Sequence, residues 1–312
     1  MTGSEFVQLS LTPILIGILA SVACALPGTF LVLRREALVS DAIGHVVLPG
    51  IVVAFLVTGV VSAWPMMIGA GAASLVAVVL IEAVKRLGNI EPGAAMGVVF
   101  TSLFAVGVLM LEQTDTSNVH LDVQHALMGN LESLIWLSGR DWSALTDPQA
   151  LAGLPDELPR LAAVCLMVVI LTFVFWRPLK IATFDENFAR TMGIPTRLLS
   201  LGLVMTAAIA AVAAFDAVGV CIVIAMFICP PAAARLMSDR LEHTVLWSVA
   251  FAVLSAVLGY VLAGYGPLWL GGQHAVSAAG MIAAVSGTIL ALACLFGPCR
   301  ARTGEAASTD AV

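Results

Sequence analysis

Apolar stretches of about 20 residues, the length a helix needs to cross a hydrocarbon core of roughly 30 Å, recur from Leu11 almost to Phe296. They fill most of the chain. The longest polar stretch, Glu112 to Arg160, is itself broken by the apolar run Ala126 to Leu137, which leaves no length for a soluble catalytic domain. Of the 312 residues 60% are hydrophobic and 11% charged, and the mean hydropathy of +1.04 lies far from ordinary globular compositions. The chain belongs in a bilayer as an all-α polytopic protein. One domain is expected over residues 1–299, followed by a tail at 300–312 rich in Ala, Ser and Thr that has no core to join and is expected to be disordered.

The apolar runs predict spans near 12–33, 38–60, 65–84, 94–111, 160–176, 198–214, 217–237, 245–264 and 278–297, about nine transmembrane helices within a range of eight to ten. The run Ala126 to Leu137 is too short to span and is expected to form a surface or re-entrant helix. Arg34 and Arg35, Lys85 and Arg86, Arg177, Lys180, Arg190 and Arg197, Arg235 and Arg240, and Arg300 and Arg302 then fall on one side. The complementary loops hold only Arg140 and Arg160, so the positive-inside rule predicts the N-terminus out and the C-terminus in. The formal charge of −6 says less than this placement. No Lys or Arg precedes Arg34, so the first stretch lacks the basic start of a signal peptide and is expected to be a retained helix. Cys24, Cys165, Cys221, Cys229, Cys294 and Cys299 form no C-x-x-C pair, which indicates neither a disulfide framework nor a thiolate metal site.

Asp41 and His45 stand inside the second apolar stretch, where an ionised carboxylate is unfavourable by several kcal/mol unless compensated. At spacing i, i+4 the two positions share one helix face. The pair fits one bound ion equally with a plain Asp–His hydrogen bond and no ion. Mixed oxygen and nitrogen ligands suit zinc, manganese or ferrous iron, and no nearby Cys or Met cluster suggests cuprous copper. Pro49, four residues after His45, removes the N–H that the His45 carbonyl would accept and loosens the helix there. Gly44 and Gly50 permit close approach of a second helix.

The stretch Gly28 to Gly50 resembles the opening of permeases of manganese, zinc and iron ABC importers. The resemblance continues in Gly93–Phe100, Leu121–Gly129, Phe184–Ile194 and Val218–Arg235, and so covers most of the chain. It implies a type II ABC importer permease that pairs with a second copy or a paralogue, with the path along the dimer interface. It also implies a cytoplasmic ATP-binding subunit dimer and an extracytoplasmic metal-binding protein as partners, and residence in the bacterial cytoplasmic membrane among its lipids. Nucleic acid is not an expected partner. By the same resemblance Asp41 and His45 become ligands of the transported manganese, zinc or iron, with no permanently bound cofactor. The segment about 178–197 becomes the ATPase-coupling segment, carried by Asp185, Glu186, Ala189, Arg190 and Gly193.

Other features carry further expectations. His120, Asp122 and His125, in the expected periplasmic segment about 112–159, offer ligands for metal capture, although exposed polar loop residues commonly serve no such purpose. Glu82 and Lys85 form an expected i, i+3 pair. Pro230 and Pro231 suggest a bent or hinged helix. The chain lacks H-E-x-x-H and a second intramembrane acid for an aspartyl dyad, which argues against an intramembrane protease. It also lacks G-x-x-x-x-G-K-S/T, so it is expected to be a transport subunit and any ATP hydrolysis belongs to another chain. The competing function is a proton- or sodium-coupled secondary transporter, in which the Asp–His pair relays protons.

Overall fold

Hydrocarbon offers a backbone no water to bond with, so each spanning segment must satisfy its peptide groups internally. The computed structural model of the chain follows that rule. It describes residues 6–36, 38–59, 63–88, 90–113, 131–139, 142, 147–151, 153–269 and 276–298. Helix α1 (Thr12–Leu33), entered through a π-helical turn at Val7–Leu11, is followed by α2 (Leu38–Thr58), α3 (Ala63–Gly88) and α4 (Pro92–Gln113). A 3-10 turn (Leu131–Ser133) and the single turn α5 (Pro148–Leu151) precede α6 (Glu157–Val174), the short helices α7 (Trp176–Phe184) and α8 (Glu186–Thr191), then α9 (Thr196–Val218), α10 (Val220–Met237), α11 (Leu241–Trp269) and α12 (Ala278–Phe296). Eight of these, α1, α3, α4, α6 and α9 to α12, are long and apolar enough to cross a membrane. Helix α2, at 21 residues, adds a ninth by length, with Asp41 and His45 its only ionisable residues.

The helices run alternately between two ends of the bundle. At one end the chain just after α1 meets α7 and α9 through Arg34, Lys180 of α7 pairs with Glu242 of α11, and Gly297 lies against Leu236 of α10. At the other, Trp136 donates its backbone N–H to Gln8 and its indole N–H to Ala150, Tyr260 donates to the Leu9 carbonyl, and the Ala278 N–H meets the Glu132 carboxylate. The first of these ends gathers the Arg and Lys residues.

Helix α1 is the centre. It packs against α6, α9, α10 and α11, and every residue from Ala23 to Leu31 is buried. Lipid tails are as apolar as leucine, so helices associate through close packing and polar contacts rather than by hiding hydrocarbon from water. Small residues make this possible. A Cβ on Gly28 would stand 2.5 Å from the Phe227 carbonyl oxygen of α10, so the two backbones meet where only glycine fits. One residue on, the Thr29 hydroxyl donates to the Ala25 carbonyl at 2.8 Å and lies 2.9 Å from the Ser248 hydroxyl of α11, a polar clasp in the bundle centre. A second close crossing joins α2 to α3, where a Cβ on Gly50 would come within 2.6 Å of the Gly69 carbonyl oxygen. Helix α9 packs against both groups, touching α1, α6, α2 and α3.

Helix α10 runs unbroken through Pro230 and Pro231, both buried, because dense packing against α1, α11 and α12 holds the segment helical where proline removes a bond. Two local expectations change. The run Ala126 to Leu137 is no helix over its described part: Leu131–Ser133 is a single 3-10 turn, and the chain beyond it is pinned by the Trp136 bonds instead of by helical ones. The connection between α9 and α10 shrinks to Gly219 alone, at φ +79°, a conformation that favours glycine. The Glu82–Lys85 pair forms, at 3.9 Å. The tail at 300–312 lies outside the described residues.

Gly28→Val should destabilise the bundle, since forcing extra methyl groups into a close-packed core costs about 1–3 kcal/mol. Thermal unfolding in detergent checks this: a lower midpoint than the parent is expected, and an unchanged one would mean that α1 and α10 are not in backbone contact.

Candidate functional site

Helix α2 is unbroken from Leu38 to Thr58, so positions 41 and 45 stand one turn apart on one face of a helix, as the spacing predicts. Ala42, Val46, Pro49 and Gly50 of the same helix are buried. His45 is half-buried and lies between α2 and α4: its ring stacks on Phe100 at 5.2 Å between centroids and meets Phe104 edge-on at 5.5 Å. The Asp41 side chain lies outside the described residues. A Cβ on Gly107 would sit 2.9 Å from the Pro49 ring, so α4 follows α2 closely one turn beyond His45. Ring contacts of this kind orient the imidazole plane. Imidazole held so is suited to giving one nitrogen lone pair to a cation or to moving a proton.

The second candidate segment, α7 and α8, sits at the Arg- and Lys-rich end. Its five sequence-marked residues each hold the local structure. Asp185, in extended conformation, caps α8 by accepting the Phe188 N–H at 2.8 Å, satisfying one of the free donors of the first turn. Glu186 and Arg190 pair across one turn at 2.6 Å, and the hydrogen bond from Arg190 holds the Glu186 carboxyl below the usual carboxylate range. Arg190 Nε also reaches the Thr196 hydroxyl at 3.2 Å, tying α8 to the start of α9. Ala189 is fully buried. Gly193 closes α8 at φ +77°: its N–H bonds the Arg190 carbonyl and the Ile194 N–H bonds the Ala189 carbonyl, the paired bonds of a Schellman cap.

Two sets of residues at this end are not apparent from the sequence. Arg34, just past α1, donates from Nη1 to Ser200 of α9 at 2.8 Å and from Nε to Thr183 of α7 at 3.3 Å, so the central helix is bolted to both neighbours of α8. With Glu36 and Glu186 it borders a polar cavity of about 270 Å³. Burial pushes the Glu36 carboxyl up despite the Arg34 charge beside it, and burial also lowers the proton affinity of Arg34. Nothing in the local sequence ties Arg34 to residues some 150–166 positions away. Phe184, Phe188 and Met192 are 59%, 52% and 61% exposed, and Leu198 is 68% exposed. Their signal was available: Phe184, Phe188 and Met192 recur every four residues in an otherwise polar stretch, the period of one helix face.

His120, Asp122 and His125 lie outside the described residues. Among the described residues no group of three or more His, Cys, Asp or Glu side chains is placed to hold a metal ion. Cys24 and Cys165 are buried free thiols, and Cys221 and Cys294 are exposed ones.

A helical bundle with eight candidate spans, and a ninth by length, among the described residues is the architecture of a multi-pass membrane protein. The chain matches the ABC 3 transport family over residues 7–136 and 149–297 and belongs to that family. It is 42% identical over 282 residues to the manganese transport system membrane protein MntD of Bacillus subtilis, covering 90% of each chain. It is 35% identical over 287 residues to the zinc transport system membrane protein TroD of Treponema pallidum, covering 91% of this chain and 73% of that one. Among solved structures, PsaBC from Streptococcus pneumoniae in complex with Fab shares the fold, with a TM-score of 0.73 at 24% identity over 93% of this chain and 92% of the other. The resemblance to permeases of manganese, zinc and iron ABC importers is thereby borne out.

Gly193→Ala places a Cβ in the left-handed region at a cost of roughly 1–2 kcal/mol. Amides of residues 186–194 should exchange with solvent deuterium faster in this variant than in the parent, with the spanning helices unaffected. Equal exchange would show that the glycine cap does not hold α8.

Proposed function

We propose that this chain is the permease subunit of an ATP-driven ABC importer for a divalent transition metal, manganese or zinc and in a wider reading iron, with the path at the interface of two permeases. The observation that carries the reading is the family match along nearly the whole chain, joined to an imidazole held inside an apolar helix. The manganese and zinc systems to which the matched relatives belong support the cargo class. No observation favours the proton- or sodium-coupled alternative.

Asp41 and His45 are the proposed ligands. A second copy, or a paralogue, supplies a second such pair, so that up to two carboxylates and two imidazoles meet the ion. Their oxygen and nitrogen atoms suit manganese and zinc, and the Irving–Williams order lets zinc bind such a site at least as tightly as manganese, so affinity alone does not define the cargo. The phenyl rings of Phe100 and Phe104 orient the His45 imidazole for its interaction with a cation. Metal arrives from an extracytoplasmic metal-binding protein, with His120, Asp122 and His125 as proposed capture residues.

The coupling segment, about 178–197, faces the cytoplasm in this reading, which places the N-terminus out, the C-terminus in and the protein in the bacterial cytoplasmic membrane. Phe184, Phe188 and Met192 supply the apolar contact for a separate ATP-binding subunit dimer, while Asp185, Glu186, Ala189, Arg190 and Gly193 give α8 the rigidity to transmit movement. Arg34 passes that movement to α1, the helix around which the bundle is packed.

Radiolabelled manganese and zinc uptake into cells carrying the full transporter tests the site. Asp41→Asn and His45→Ala should each abolish uptake and leave co-purification of the ATPase intact; wild-type uptake by both variants would refute the ligands. Phe188→Ala together with Met192→Ala should weaken ATPase co-purification without lowering the amount of permease in the membrane. Unaltered co-purification would remove the coupling assignment. Uptake by proteoliposomes holding the permease without ATPase or ATP would overturn the importer reading itself.

A further inference from the structure

On the outer side of the bundle, away from α2 and α4, helices α6 and α11 diverge over α1 and leave a groove of about 700 Å³. Leu26 forms its floor, with Phe173 on one wall and Leu246 and Val249 on the other. Thr172, the polar side chain of the walls, donates its hydroxyl to the Val168 carbonyl at 2.8 Å, so the groove presents hydrocarbon. It opens outward: Phe173 is 76% and Leu246 69% exposed. At the Arg- and Lys-rich end α7 closes it with Trp176 and Arg177. Trp176 packs edge-on against Phe30 at 6.2 Å, placing an indole where apolar groove gives way to charged surface.

The charges at this end are unequal. Glu242 borders the groove, but Lys180 pairs with it at 2.9 Å, and Arg240 and His243 lie near it. Arg177 is exposed and has no ion pair or hydrogen bond among the described residues. An apolar trough of acyl-chain character, capped by an unneutralised guanidinium and an interfacial tryptophan, matches a molecule with a hydrocarbon tail and an anionic head. A packed helix of another protein chain is a poorer match, because close helix contact in membranes favours Gly, Ala, Ser and Thr, and the walls carry Phe, Leu and Val.

We propose that this groove is a binding site for an anionic phospholipid, with one acyl chain lying against Leu26 between α6 and α11 and the phosphate paired to Arg177. The site is separate from the ion path and does not depend on the cargo or on ATP. Its position over α7, whose residue Thr183 receives the Arg34 bond, puts the lipid against the segment that Arg34 braces.

Native mass spectrometry of the full chain, after incubation with equal amounts of phosphatidylglycerol and phosphatidylcholine, tests the proposal. Phosphatidylglycerol should be retained in preference. Arg177→Gln should lower its retention about fivefold, the factor one cation contributes near an anionic head group, whereas Lys85→Gln, at the same end but away from the groove, should not. Leu246→Trp, which fills the groove, should lower retention of both lipids. A photo-reactive benzoylphenylalanine replacing Leu246 should gain an adduct of phospholipid mass; this arm decides the matter should Arg177→Gln fail to elute as a single species. Equal retention of the two lipids, unchanged retention in Arg177→Gln, or a photo-adduct with a second permease or any other protein would overturn the proposal.

Discussion

Between helices surrounded by hydrocarbon there is no water to expel, so cohesion depends on how closely backbones approach and how buried polar groups pair. In this chain the dependence centres on α1. Its run of small residues, Ala20, Ser21, Ala23, Cys24, Ala25 and Gly28, is buried on every side, and Gly28 lets α10 approach until backbone meets backbone. Were larger residues placed there, α6, α9, α10 and α11 would lose their common support. The Thr29–Ser248 contact adds orientation, because α11 can form it in one rotation about its axis.

The same helix links depth to surface. Arg34, one residue beyond α1, is anchored to Thr183 and Ser200, and α8 is anchored in turn to α9 through Arg190 and Thr196. Helix α8 therefore adjoins α9 directly and α1 through Thr183 and Ser200, and α9 touches α2, the helix of Asp41 and His45. The structure thus holds a continuous packed connection between the two segments that the proposed function needs to communicate. On that proposal, the cap bonds of α8 and the Arg34 anchor serve one mechanical purpose: they make a six-residue helix stiff enough to push.

The polar residues of α7 and α8 show how a sequence pattern and a structure can draw attention to different side chains of one segment. Asp185, Glu186, Arg190 and Gly193 stand out because they do not belong in lipid, yet, though exposed, they are engaged in the segment's own cap, ion pair and turn. The side chains left exposed without such bonds include Phe184, Phe188 and Met192, apolar residues scattered through a polar stretch. Polarity marks the boundary of the membrane; only geometry tells which groups at that boundary are already occupied.

What the sequence by itself determined is whatever depends on one segment at a time: residence in a bilayer from runs of apolar length, helical spans from backbone hydrogen bonding, the clustering of Arg and Lys at one end, and the placing of Asp41 and His45 one turn apart. Those features follow from local composition and the 3.6-residue period. The centrality of α1, the continuity of α10 through Pro230 and Pro231, the aromatic contacts of His45, the reach of Arg34 and the groove ending at Arg177 were decided by tertiary structure. Each arises where residues far apart in the chain come within a few ångströms, and a linear pattern carries no information on such distances until the helices have packed.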